Sequence, residues 1–83
     1  MDYDLLTART VTQAQRMAQK LERGGLRATV VRVPPELSGR GCGYAVRLRS
    51  GTWERAQQLL TTPELQPIRI FRRIGQEYRE AGL

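Results

Sequence analysis

The only cysteine in this 83-residue chain, Cys42, stands in the segment PPELSGRGCGYAV, residues 34–46. Gly39, Gly41 and Gly43 surround it, and Arg40 lies two positions before it. A thiol reacts as its thiolate, which nearby positive charge and N–H donors stabilise. Glycines allow positive φ, and successive N–H groups in such a loop can form an anion-binding concavity. The pattern makes Cys42 a candidate for a reactive, reachable thiol, supported by the backbone of residues 39–43 and by Arg40. Ser38 can donate a hydrogen bond to the thiolate, and Glu36 can position a partner's amine or pair with Arg40. Each feature also has a plainer reading. Cys42 fits a turn as a small residue, Ser38 tightens turns, and an exposed Glu36 is commonly just solvated.

The rest of the composition narrows the chemistry. Histidine is absent, which removes the commonest ligand for zinc, copper and iron and the usual general base. Neither a Ser-His-Asp nor a Cys-His site can be built within one chain. A single cysteine forms no internal disulfide. No cofactor and no metal site is expected. Classical hydrolase chemistry is therefore not expected of this chain without a partner.

The formal charge is +6, and every basic residue but Lys20 is arginine. Such a surface attracts phosphate, nucleic acid or acidic proteins. The charges are spread along the chain without a block, which also suits a merely soluble surface. No apolar run approaches the roughly 20 residues of a membrane span. The start, MDYDLLTART, does not read as a secretory signal. Together these predict a cytoplasmic protein with no membrane partner, and one domain over residues 1–83.

The elements that must position the loop follow from periodicity. YDLLTA (3–8), RATVVRVP (27–34), YAVRLR (44–49) and PIRIFRR (67–73) read as strands. TVTQAQRMAQKLERGG (10–25) reads as a helix with Thr10 as N-cap and Gln13 at capping-box spacing. Val11, Ala14, Met17, Ala18 and Leu21 form its apolar stripe, Gln13 falls on the wet side, and Gly24–Gly25 end it. TWERAQQLL (52–60) reads as a second helix, with Ser50 or Thr52 as cap and Trp53, Ala56, Leu59 and Leu60 facing inward. Ile74, Tyr78 and Ala81 have helical spacing, so the 74–83 tail reads as a short helix, against which Gly75 weighs.

The order β-α-β-β-α-β predicts an α+β, ferredoxin-like fold: an antiparallel sheet with two helices on one face, the first and third strands central. The open face is then expected to carry Arg32, Arg47, Arg49, Arg69 and Arg73, mixed with Val30 and with Phe71 on an edge strand. Val30 and Phe71 among arginines would mark a homodimer contact. Outward positions Ala45, Arg47 and Arg49 offer no aromatic for base stacking, so any nucleic-acid affinity would be electrostatic. The ten-residue loop 34–43 exceeds the usual 2–5 of a hairpin, a length common in functional loops.

VPPELSGRGCGYAVRL (33–48) resembles the signature of a family of small bacterial domains described as selenium/sulfur carrier-like. There a proline-led stretch runs into a Cys-Gly pair and an alternating strand. The resemblance extends to YDLLTARTVTQAQRMAQKLERGGLRATVV and covers most of residues 3–61. Pro34, Glu36, Ser38, Cys42 and Gly43 match the family's loop; Pro35 stands where the family usually has Arg. The resemblance implies a sulfur or selenium carrier or accessory protein, with Cys42 bearing the cargo and a donor or acceptor protein as partner.

Overall fold

The computed structural model describes residues 2–37 and 43–81. Five strands, β1 (Tyr3–Thr7), β2 (Ala28–Arg32), β3 (Tyr44–Arg49), β4 (Ile70–Ile74) and β5 (Glu77–Ala81), form one sheet in the order β2-β3-β1-β4-β5. Every neighbouring pair is antiparallel. Helix α1 (Val11–Arg23) links β1 to β2, and α2 (Trp53–Leu59) links β3 to β4. The α+β class, the ferredoxin-like order and the central places of β1 and β3 are as the sequence predicts.

The main core forms where the two helices meet one face of the sheet. Ala14, Met17, Ala18 and Leu21 of α1, with Ala56 and Leu60 from α2 and its end, pack on Leu6, Val46, Leu48 and Ile70. Tyr44 and Trp53 pack partly against the same cluster, while Val11 is exposed at 39 %. Thr10 caps α1 from an extended backbone, its Oγ1 accepting the Gln13 N–H at 3.0 Å.

Gln13 corrects the sequence reading: it is buried, not on the wet side. Its Oε1 accepts the Arg9 N–H, one residue before the cap, at 2.5 Å. Its Nε2 donates to the carbonyls of Glu64 and Gln66 at 2.9 and 3.1 Å. Burying an amide is tolerable when its hydrogen-bonding capacity is met, and here it ties the start of α1 to the 3₁₀ turn Pro63–Leu65.

The two glycines after α1 serve different ends. Gly25 takes φ 90°, and the bonds Leu26 N–H to Leu21 O and Gly25 N–H to Glu22 O make a Schellman closure. Gly24 keeps φ −84°; a Cβ there would lie 2.3 Å from Leu59 Cδ1, so it is small because α2 approaches. Thr52 does not cap α2 with its side chain. Its hydroxyl donates back to Arg49 O at 2.7 Å instead.

The tail is a strand, not a helix. Gly75, at φ 62°, is the first residue of a two-residue turn between the paired Ile74 and Glu77, the Gly-X arrangement of a type II′ hairpin. β5 then pairs with β4 through Phe71↔Glu80 and Arg73↔Tyr78. Consequently β4, the expected edge, is an interior strand, and Phe71 does not lie on an edge.

Register also redraws the open face. Val30 pairs with Val46, and Arg32 with Tyr44, so both belong to the helix-covered side. Val30 packs there, and the Arg32 guanidinium lies 5.5 Å from the Tyr44 ring centre. Phe71 does face away from the helices, yet only 3 % of it is exposed. The apolar pair expected to mark a dimer contact is therefore not exposed on this face.

Candidate functional site

Two short elements fix the ends of the candidate loop. After β2, the Val33 N–H bonds to Gly43 O at 2.8 Å, which extends the β2–β3 pairing by one step. Gly43 has φ 91°, a conformation that favours glycine, with open space where a side chain would stand. On the other side, Pro35–Leu37 form a 3₁₀ turn closed by the Leu37 N–H to Pro34 O at 2.9 Å. Leu37, buried to 7 %, packs with Leu5, Ala45 and Phe71 on the sheet face opposite the helices. The loop therefore begins by folding back over the open face. Of the predicted site residues, Glu36 and Gly43 are described. Ser38, Gly39, Arg40, Gly41 and Cys42 lie outside the described residues.

Next to this anchor stands a cluster that the sequence reading does not single out. Tyr3 and Tyr78 pack against the same secondary core as Leu37. Their hydroxyls meet at 2.6 Å, and Arg73 Nη1 donates to the Tyr3 oxygen at 3.1 Å. The Arg73 guanidinium lies 5.4 Å from the Tyr3 ring centre and 5.7 Å from that of Tyr78; Arg47 lies 5.7 Å from Tyr3. Such placement over aromatic faces is attractive for a cation.

The two phenols are driven apart electrostatically. Burial works against ionising Tyr3, but the hydrogen bonds with Tyr78 and Arg73 and the charges of Arg73 and Arg47 outweigh it and hold its pKa below 10. For Tyr78, burial, the bond to Tyr3 and the charge on Tyr3 push the pKa above 10; Arg73 opposes this and Glu36 adds to it. Glu36 is thus electrostatically linked to the cluster. Arg73 is held more firmly protonated by its bond to Tyr3. Either hydroxyl can donate in the Tyr3–Tyr78 bond, and the two phenols titrate as a pair.

Arg69 pairs with Glu80 at 2.5 Å. On the helix side, Arg72 Nε donates at 3.1 Å to Asp4, which is fully buried and whose second oxygen has no protein partner. Among the described residues no group of Asp and Glu gathers closely enough to hold a metal ion, and no helix is long and apolar enough to cross a membrane.

The fold is a small ferredoxin-like one, in which the turn Pro35–Leu37 after β2 seats Leu37 on the open sheet face. A family model described as "Putative Se/S carrier protein-like" matches residues 2–72, and the chain belongs to that family. The matched span contains the whole loop and ends within β4, so β5 and Tyr78 lie beyond it. Neither the comparison with curated proteins nor that with solved structures gives a match.

Proposed function

We propose that the protein carries sulfur or selenium on Cys42, as a carrier or accessory in chalcogen trafficking. The observation that carries this reading is the family match, which spans the loop and its single thiol. The described loop ends support it. Leu37 pins one end of the loop to a buried cluster and Gly43 turns the other with a positive φ.

The thiolate of Cys42 attacks the outer sulfur of a persulfide on a donor protein. The donor's S–S bond breaks, its thiolate leaves, and Cys42 becomes the persulfide with no net oxidation. Backbone N–H groups of residues 39–43, with Arg40, stabilise the anion before and after transfer; Ser38 adds a hydrogen bond and Glu36 orients the partner. A second thiolate on an acceptor unloads the cargo by the same exchange. The cytoplasm, which keeps a lone thiol reduced, is the setting.

The test is mass spectrometry after incubation with a cysteine desulfurase and cysteine. One added sulfur is expected on Cys42, reversed by reductant and missing in Cys42→Ser. Rapid alkylation of Cys42 at pH 6 is the companion measurement. A rate equal to that of free cysteine, with no sulfur acquired, would overturn the reading.

A further inference from the structure

One corner of the open sheet face holds three arginines without an ion-pair partner among the described residues, one of them, Arg47, lying over the Tyr3 ring. Arg47 and Arg49 are two residues apart on β3 and share a face. Arg27 stands one position before Ala28, whose partner is Leu48, and so falls beside Arg49 across the strands. All three are exposed. Among the described residues none of them has an ion pair, whereas Arg69, Arg72 and Arg79 each have a carboxylate. They line one groove of about 930 Å³ with Asp2, Tyr3 and Thr29. Asp2, the carboxylate on that wall, accepts the Gly75 N–H at 3.0 Å.

Like charges set opposite each other on adjacent strands cost stability, and strand geometry holds these in place. A single carboxylate would neutralise one of them. A phosphoryl group carries roughly −1.5 to −2 at pH 7, and arginine's planar fork matches its oxygens in pairs. The groove lies within the size of small-molecule sites, roughly 300–1,000 Å³. Toward β4, Arg69 is paired with Glu80, and Arg73, though still charged, is stacked on Tyr3 and Tyr78 and bonded to the Tyr3 oxygen. That favours a compact ligand over a polymer.

We propose that this groove binds a phosphate-bearing small molecule of nucleotide size, with Arg27, Arg47 and Arg49 on the phosphoryl oxygens and Thr29 as an added hydroxyl. The site is independent of the thiol and should be unchanged in Cys42→Ser.

The test titrates pyrophosphate, ADP and a single-stranded RNA oligonucleotide separately into the full chain at fixed salt, followed by amide NMR. Saturable shifts at Arg27, Thr29, Arg47 and Arg49 are expected with pyrophosphate and ADP. Arg27→Gln and Arg49→Gln should each weaken binding about tenfold, while Arg16→Gln on α1 leaves it unchanged. Without ligand, Arg27→Gln should melt no lower than the parent protein, since a repulsion is relieved. Four results would overturn the proposal: no saturation, equal weakening by Arg16→Gln, binding of RNA alone, or a lower melting point for unliganded Arg27→Gln.

Discussion

Replacing Leu37 with alanine tests whether the loop is fastened to the sheet or merely rests near it. The side chain is 7 % exposed and packs with Leu5, Ala45 and Phe71. At about 0.8 kcal/mol for each carbon removed, truncation costs about 2.4 kcal/mol. The seat lies under a surface turn, which can settle into the space, so the added cavity cost is small. Urea unfolding followed by Trp53 fluorescence is the assay. With a slope of about 1 kcal/mol/M for a small protein, the midpoint should fall by roughly 2 M. Leu37→Met keeps the volume and should cost less than about 1.5 kcal/mol. Amide exchange at Leu5 and Phe71 should accelerate in Leu37→Ala as their cover is lost. A midpoint lowered by less than about 0.3 M would refute the anchoring, and with it the view that the first half of the loop is preset.

Other consequences are equally direct. Gln13→Glu keeps the acceptor for Arg9 but puts a carboxylate against the Glu64 and Gln66 carbonyls. Thermal melts at pH 7 should show a loss of about 2–3 kcal/mol, partly recovered as pH falls from about 6 to 4, because a buried carboxylate facing carbonyls protonates above its ordinary value. Gly43→Ala meets no atom within 4 Å, so its cost of roughly 1–2 kcal/mol is that of the left-handed backbone; equal denaturation midpoints would contradict it. In a phenolate absorbance titration, Tyr3 should ionise below 10 and Tyr78 above. Tyr78→Phe removes the hydrogen bond that lowers Tyr3 and should raise its pKa. The sign for stability is opposite at the two rings: Tyr3's contribution is present above pH 10 and lost as pH falls through its folded value. Tyr78's is present below pH 10 and lost as pH rises through its folded value.

Clean alternation made β3 readable, and short apolar or β-branched runs marked β1, β2 and β4. YAVRLR sends Val46 and Leu48 under the helices and Arg47 and Arg49 outward, and the order of elements then leaves few topologies. Thr10 and the Gly24–Gly25 stop were legible because caps are local. Gln13 was not, because its partners Glu64 and Gln66 are about fifty residues away and no local pattern encodes them. Val30 and Arg32 were misplaced because β2 is apolar on both faces, so only the pairing with β3 decides its parity. The final strand was hidden by a coincidence of spacing: Tyr78 and Ala81 fit a helical stripe as well as a strand. The Gly75–Gln76 pair after an alternating run was the available signal. Leu37 stood out only as the lone large apolar residue of a polar loop. The glycines and cysteine of the loop are local features of the sequence, whereas the surface that seats Leu37 comes from residues as distant as Leu5 and Phe71.

The outermost strand changes what the sheet shows to its neighbours. Without residues 75–81, the far side of β4 would be a bare row of amides and carbonyls, a template for another chain's strand. β5 seals that row, and the border it presents instead bears Glu77, Arg79 and Glu80, charges that discourage stacking edge to edge. It also delivers the phenol that completes the pair with Tyr3. A shortened chain would thus lose its protection against polymerisation and the second ring of its tyrosine couple in the same cut.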